Sequence, residues 1–221
     1  MDETRLFAWF QQQEPSVLME VLQNAYHAMT TTQRRDVFGP LITQIPPSPV
    51  DGEALHEAID TFYRNSLAGV YYAPFDINSR NFSHIPEETE EWFEQLGDFL
   101  AQSTTLSDQG QHQHACACFG LLYALIERME RGEEIIFADE AGSWMIPGDE
   151  KVHIRAYLHS LAETATPEAF TEAVVPLIRR DSYESFTNKV YTSAMRAANT
   201  QQKAHLKEAI ARHNIRTKPR S

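Results

Sequence analysis

SDQGQHQHACACFGLLYALIERMERG, residues 107–132, decides the fold class. Within it Ala115, Phe119, Leu122, Ile126 and Met129 follow one another at intervals of four, three, four and three, the period that holds apolar side chains on one face of an α-helix. The spacing predicts a central helix with Ser107 as its N-cap and Gly132 as the residue past its end.

Outward from this helix the same period recurs along most of the chain. On the N-terminal side it is carried by Leu6, Trp9 and Phe10, then after Pro15 by Leu18, Val21, Leu22, Ala25 and Met29. A third helix runs from near Thr32 through Val37, Phe38, Leu41 and Ile42, with Gly39-Pro40 removing a backbone donor from its middle; Ile45-Pro46-Pro47-Ser48-Pro49 then stops helix outright. After Asp51 come Leu55, Ile59 and Phe62, fading near Gly69. Pro86 opens a helix whose first turns hold Glu87, Glu88, Glu90 and Glu91 against the positive end of the dipole and whose inner face is Trp92, Phe93, Leu96, Phe99 and Leu100.

On the C-terminal side the helices are marked by Ile154, Tyr157, Leu158 and Leu161; by Thr166-Pro167 ahead of Phe170, Val174, Leu177 and Ile178; by Asp181 to Glu184 at capping-box spacing ahead of Tyr183, Phe186, Val190, Ala194 and Ala197; and by Leu206, Ala209 and Ile210. These segments predict an all-α fold, an irregular bundle of about ten helices in helical hairpins with the character of an α-solenoid. Pro40-Leu41-Ile42 and Pro176-Leu177-Ile178 are the one internal echo of a repeat.

Two stretches interrupt the helical period. Tyr71 to Ile85 is long for a connection and rich in aromatics, with Tyr72, Pro74, Phe75, Asn78 and Phe82, so packing and not looseness is expected of it. Glu134-Ile135-Ile136-Phe137-Ala138 and Ser143-Trp144-Met145-Ile146 are β-prone runs around Asp139-Glu140-Ala141-Gly142, and they predict a small β-hairpin packed on the helix from Ser107 to Arg131. The expected organisation is a single helical domain over 1–221, with an acidic lobe at 1–132, the hairpin at 133–149, a basic lobe at 150–214 and a flexible basic tail at 215–221.

Charge is divided by position. Residues 1–150 hold 25 of the 31 Asp and Glu but 7 of the 19 Lys and Arg, net −18; residues 151–221 hold 12 basic and 6 acidic residues, net +6. Such asymmetry points either to partners or to self-association between the acidic and basic parts. The N-terminus lacks the basic-then-apolar order of a signal peptide and no apolar stretch is long enough to span a bilayer, so no membrane is expected. The two cysteines, Cys116 and Cys118, diverge by roughly 200° on a helix and cannot bridge each other, which fits a reducing, cytoplasmic compartment.

No catalytic motif stands out, and neither a cofactor nor a metal is expected. His112, His114, Cys116 and Cys118 are four ligand types within seven residues, but on a helix His112 and Cys116 point away from His114 and Cys118. His56 and Asp60 have the spacing of a zinc-protease helix with an Asp where its second histidine would stand, and an amphipathic core helix explains the segment.

The leading expectation is a protein–protein interaction or adaptor module built from stacked amphipathic helices. Its binding candidates are Tyr72, Phe75, Asp139, Glu140 and Trp144. One alternative is an enzyme or regulatory subunit with a site between 71–85 and 137–144. Another is nucleic-acid binding through Lys203, Lys207, Arg212 and Arg216, which the net charge of −12 opposes.

Overall fold

In the computed structural model the described residues are 3–42, 49–78, 81, 84–137, 142–180 and 184–215. Their secondary structure is helical: α1 (Glu3–Phe10), α2 (Pro15–Ala28), α3 (Thr31–Ile42), α4 (Gly52–Leu67), α5 (Glu87–Asp108), α6 (His112–Glu130), α7 (Glu150–Thr164), α8 (Pro167–Arg180), α9 (Glu184–Ala197) and α10 (Thr200–Arg212). The all-α expectation holds. None of these helices is long and apolar enough to cross a membrane.

The chain divides into two compact units, Met1–Ser48 and Pro49–Ser221. In the first, α1 and α2 contain no buried residue. Tyr26 is a local anchor among its described residues, its ring meeting Phe38 edge to face at 5.4 Å and lying under the Arg34 guanidinium at 4.9 Å.

The second unit has a full core. Local chemistry sets its helix ends: the Asp51 carboxylate accepts from the Glu53 and Ala54 amides, Asp149 from Lys151, and Asn199 and Gln202 form a capping box at α10. Gly69 and Gly132 take the left-handed conformation just beyond α4 and α6. α5, α6 and α7 pack on one another, α4 lies on α5 and α6, and α8 and α9 join α7, with α10 against α8. Trp92 of α5, Phe119 of α6 and Phe170 of α8 are wholly buried in this core. Trp92 Nε1 donates to Ser66 Oγ at 2.9 Å, and Gln202 Nε2 ties α10 to the end of α7 through the Ala162 and Ala165 carbonyls.

One expectation gives way here, and two find no support. Ser107 is not an N-cap: α5 continues through Asp108, Gly110 turns the chain with φ +75°, and α6 begins at His112. Ser103, Leu106 and Ser107 prolong the buried face of α5, so the seam runs two turns past Leu100.

The β-hairpin is not supported: the described residues contain no strand, and residues 138–141 of the expected hairpin lie outside them. The backbone donors that a ladder needs are held locally, Ile135 N by Glu133 O, Met145 N by Gly142 O and Ile146 N by Ser143 O, the last two in a 3-10 turn at Ser143–Met145. The segments are also fixed one after the other along α5 and not to each other. Ile135 is buried, Phe137 O accepts from Thr89 Oγ1 on α5, and Pro147 lies against Gly97, where a Cβ would stand 2.9 Å from its ring.

A solenoid is not supported. Helix lengths run from 13 to 22 residues in this unit, no repeat unit recurs, and α5, α6 and α7 form a mutually packed centre. The Asp181–Tyr183 part of the expected α9 cap, and the 216–221 part of the basic tail, lie outside the described residues.

Candidate functional site

The two irregular connections meet, as rings. Phe137 is met edge to face by Tyr72 at 5.9 Å and by Phe75 at 5.1 Å, and Phe75 also contacts His84 at 5.2 Å. Tyr71 is buried beneath them and its Oη donates to Gln95 Oε1 at 3.3 Å. Trp144 departs from the expected packing: it is 75% exposed, and its ring lies 3.2 Å from where a Cβ on Gly142 would stand. Asp139 and Glu140 lie outside the described residues.

Of the basic candidates, Lys203 and Lys207 sit one turn apart on α10, whereas Arg212 is rotated by about 140° from Lys207 and pairs with Glu208 at 2.7 Å. Arg216 lies outside the described residues.

The histidine and cysteine cluster disperses, and no metal-binding group occurs among the described residues. His112 Nδ1 contacts Ser160 Oγ at 3.2 Å and Cys116 Sγ contacts Thr164 Oγ1 at 3.4 Å, both on α7. His114 instead packs over Gly52 at the start of α4. Cys118 is wholly buried, and burial pushes its thiol up to about 11 against a hydrogen bond with Ser103. Asp60 pairs with Arg64 at 3.0 Å, one turn along α4.

A second constellation was not singled out by its sequence. Gly120, Tyr123, Ala124 and Glu127 of α6, Tyr157 of α7 and Ala173, Pro176, Leu177, Arg179 and Arg180 of α8 line a cavity of about 430 Å³. Its floor is aromatic: the Tyr123 and Tyr157 rings lie 5.7 Å apart and 7° from parallel, with Phe119 stacked on Tyr157 at 5.2 Å. Arg180 stands beside it with its side chain 11% exposed. Its Nε faces Glu130 Oε2 at 3.4 Å, its Nη2 bonds Glu150 Oε1, and its guanidinium lies 5.5 Å from the Tyr123 ring.

Three polar atoms of the described residues are buried without a hydrogen-bond partner, and two belong here, Tyr123 Oη and Arg180 Nη1. Burial pushes the Tyr123 phenol well above the usual tyrosine range, against the nearby Arg180 charge, and burial does the same at Tyr157. The signal available in sequence was Gly120 inside a helix, one turn before a tyrosine in the apolar face. The third orphan is His153 Nε2. Thr104 Oγ1 gives its single proton to Leu100 O and accepts from His153 Nδ1 at 2.9 Å, so Nε2 carries a bare lone pair, which abuts Gly148.

Comparison with protein-family models, curated proteins and solved structures gives no match for this chain.

Proposed function

We propose that the chain is a protein-interaction module whose N-terminal helices are the docking element. The observation that carries this is the exposure of Phe7, Trp9, Met19, Leu22, Tyr26 and Val37, between 41% and 56%, on helices of which α1 and α2 bury nothing. Single exposed apolar residues are ordinary, but six large ones on three consecutive helices expose more apolar area than water favours. Between Arg5 and Arg34 the only acidic or basic residues besides His27 are Glu14 and Glu20. The matching partner is therefore an apolar, weakly charged protein surface. Exposed Trp144 is a second anchor of the same kind.

A reducing, cytoplasmic setting belongs to the same proposal and is supported by Cys116 and Cys118 being free thiols, Cys118 wholly buried. Nucleic acid has weaker support, since Arg212 is paired and turned from Lys203 and Lys207. A catalytic site between the two irregular connections is supported only by the meeting of Tyr72, Phe75, His84 and Phe137.

The test is affinity capture from the native host with wild type and with Phe7→Ser/Trp9→Ser/Leu22→Asp, followed by titration of the captured protein, purified, onto each. The expected result is a partner held at least about tenfold more weakly by the variant, with the thermal transition of residues 49–221 unchanged. Equal binding by both proteins, or sedimentation showing that these helices only join copies of this chain, would refute the reading.

A further inference from the structure

The cavity between α6, α7 and α8 collects hydrogen-bonding groups that the fold leaves open. Tyr123 is 6% exposed and its hydroxyl has no partner among the described residues; the same holds for Arg180 Nη1, although the other guanidinium nitrogens meet Glu130 and Glu150. The Tyr157 hydroxyl stands 3.8 Å from where a Cβ on Gly120 would lie, so the absence of a side chain there keeps that hydroxyl uncovered. Buried polar groups are normally paired because an unpaired one forfeits its bond to water. The three residues that carry these groups all line one cavity of about 430 Å³.

The chemistry of that partner follows from the donors. Nη1 can only donate and a phenol readily does, so the matching group is an acceptor with several lone pairs, which a carboxylate supplies. A phosphate dianion fits less well: the guanidinium already shares its charge with Glu130 and Glu150, and Arg131 at the rim is paired with Glu127. Ala124, Ala173, Pro176 and Leu177 make part of the wall apolar, with Glu127 and Arg179 also on it. We propose that this cavity binds a small organic monocarboxylate, its carboxylate held by Arg180 Nη1 and the Tyr123 hydroxyl and its apolar body by the α8 wall. This ligand site is independent of the docking role of the N-terminal helices.

Calorimetric titration of the full chain with 2-naphthoate, 2-naphthamide and inorganic phosphate tests it. Expected are a Kd for naphthoate at or below about 1 mM, binding of the amide at least about tenfold weaker, and no competition from phosphate. Tyr123→Phe provides the second readout. It weakens naphthoate by about five- to tenfold, yet the ligand-free melting temperature stays level or rises, because that hydroxyl has no bond to lose. Any one of four results overturns the assignment: no naphthoate binding up to about 5 mM, as from a cavity that holds only water; equal affinity for the amide; displacement by phosphate; or a lowered ligand-free melting temperature in Tyr123→Phe.

Discussion

Removing the Ser107 hydroxyl breaks a buried relay whose direction is fixed by proton count. Ser107 Oγ donates to Ala156 O at 3.1 Å, Ser160 Oγ donates to Ser107 Oγ at 2.8 Å, and Ser160 Oγ therefore accepts from His112 Nδ1 at 3.2 Å. Ser107 is 3% exposed and Ser160 wholly buried. Ser107→Ala takes away both the oxygen to which Ser160 donates and the donor of the buried Ala156 carbonyl, a loss of about 1–3 kcal/mol, or roughly 2–12 °C in melting temperature for a unit of this size. Ser160→Ala costs less, since Ser107 keeps its carbonyl acceptor and half-buried His112 turns to water. The double variant removes the orphan with its cause and should be no less stable than Ser107→Ala. Ser107→Gly puts a glycine in the last turn of α5 and should cost about 0.5 kcal/mol more than Ser107→Ala, whereas at an N-cap it would be the milder change. Urea denaturation followed by far-ultraviolet circular dichroism reads all four. Additive single losses, or glycine tolerated better than alanine, would refute the relay.

Two further outcomes follow from the 142–153 segment. Trp144→Ala should change stability by no more than about 0.5 kcal/mol in the same urea assay, because the ring is 75% exposed; a loss near 3 kcal/mol would put it in the core. Burial holds the His153 pKa below its ordinary 6.5, with Asp149 partly opposing. The unfolded chain thus takes up the proton first as pH falls, so this contribution to stability is complete above about 6.5 and is lost from there down to the lower folded value. Melting temperatures between pH 7.5 and 5.5 should fall less in His153→Gln than in wild type, and equal slopes would remove His153 as the cause.

The parts of this fold that were legible in the sequence are those set by neighbours along the chain. Asp51, Gly69, Gly132 and Thr166 act within a turn of where they stand, and the apolar period of α4 to α8 reports directly which face is buried. The α5–α6 boundary was misread because Ser103 and Ser107 occupy seam positions that a count of apolar residues skips, and because a serine near a helix start resembles a cap whether or not it is one. The hairpin was misread for a related reason. Short runs such as 134–137 take the structure that distant groups impose, here Thr89 of α5, and their intrinsic β preference is too weak to resist.

The cavity was hidden more deeply, since its donors come from three helices. Tyr123 reads as apolar volume in a core stripe, and Arg180 reads as a cation that complements the C-terminal end of α8. Whether a phenol hydroxyl is paired depends on atoms that no spacing rule locates. The charge asymmetry that reads as a partner signal is in part used inside the chain at this point: Arg180, from the basic part, is held by Glu130 and Glu150 of the acidic part. Two carboxylates outweigh one guanidinium by a single charge while engaging only Nε and Nη2, and Arg179 on the same cavity wall offsets that charge. Arg180 therefore reaches the cavity as a hydrogen-bond donor with little net charge, which favours a singly charged organic acid over a polyanion and separates this site from any role of the basic residues on α10.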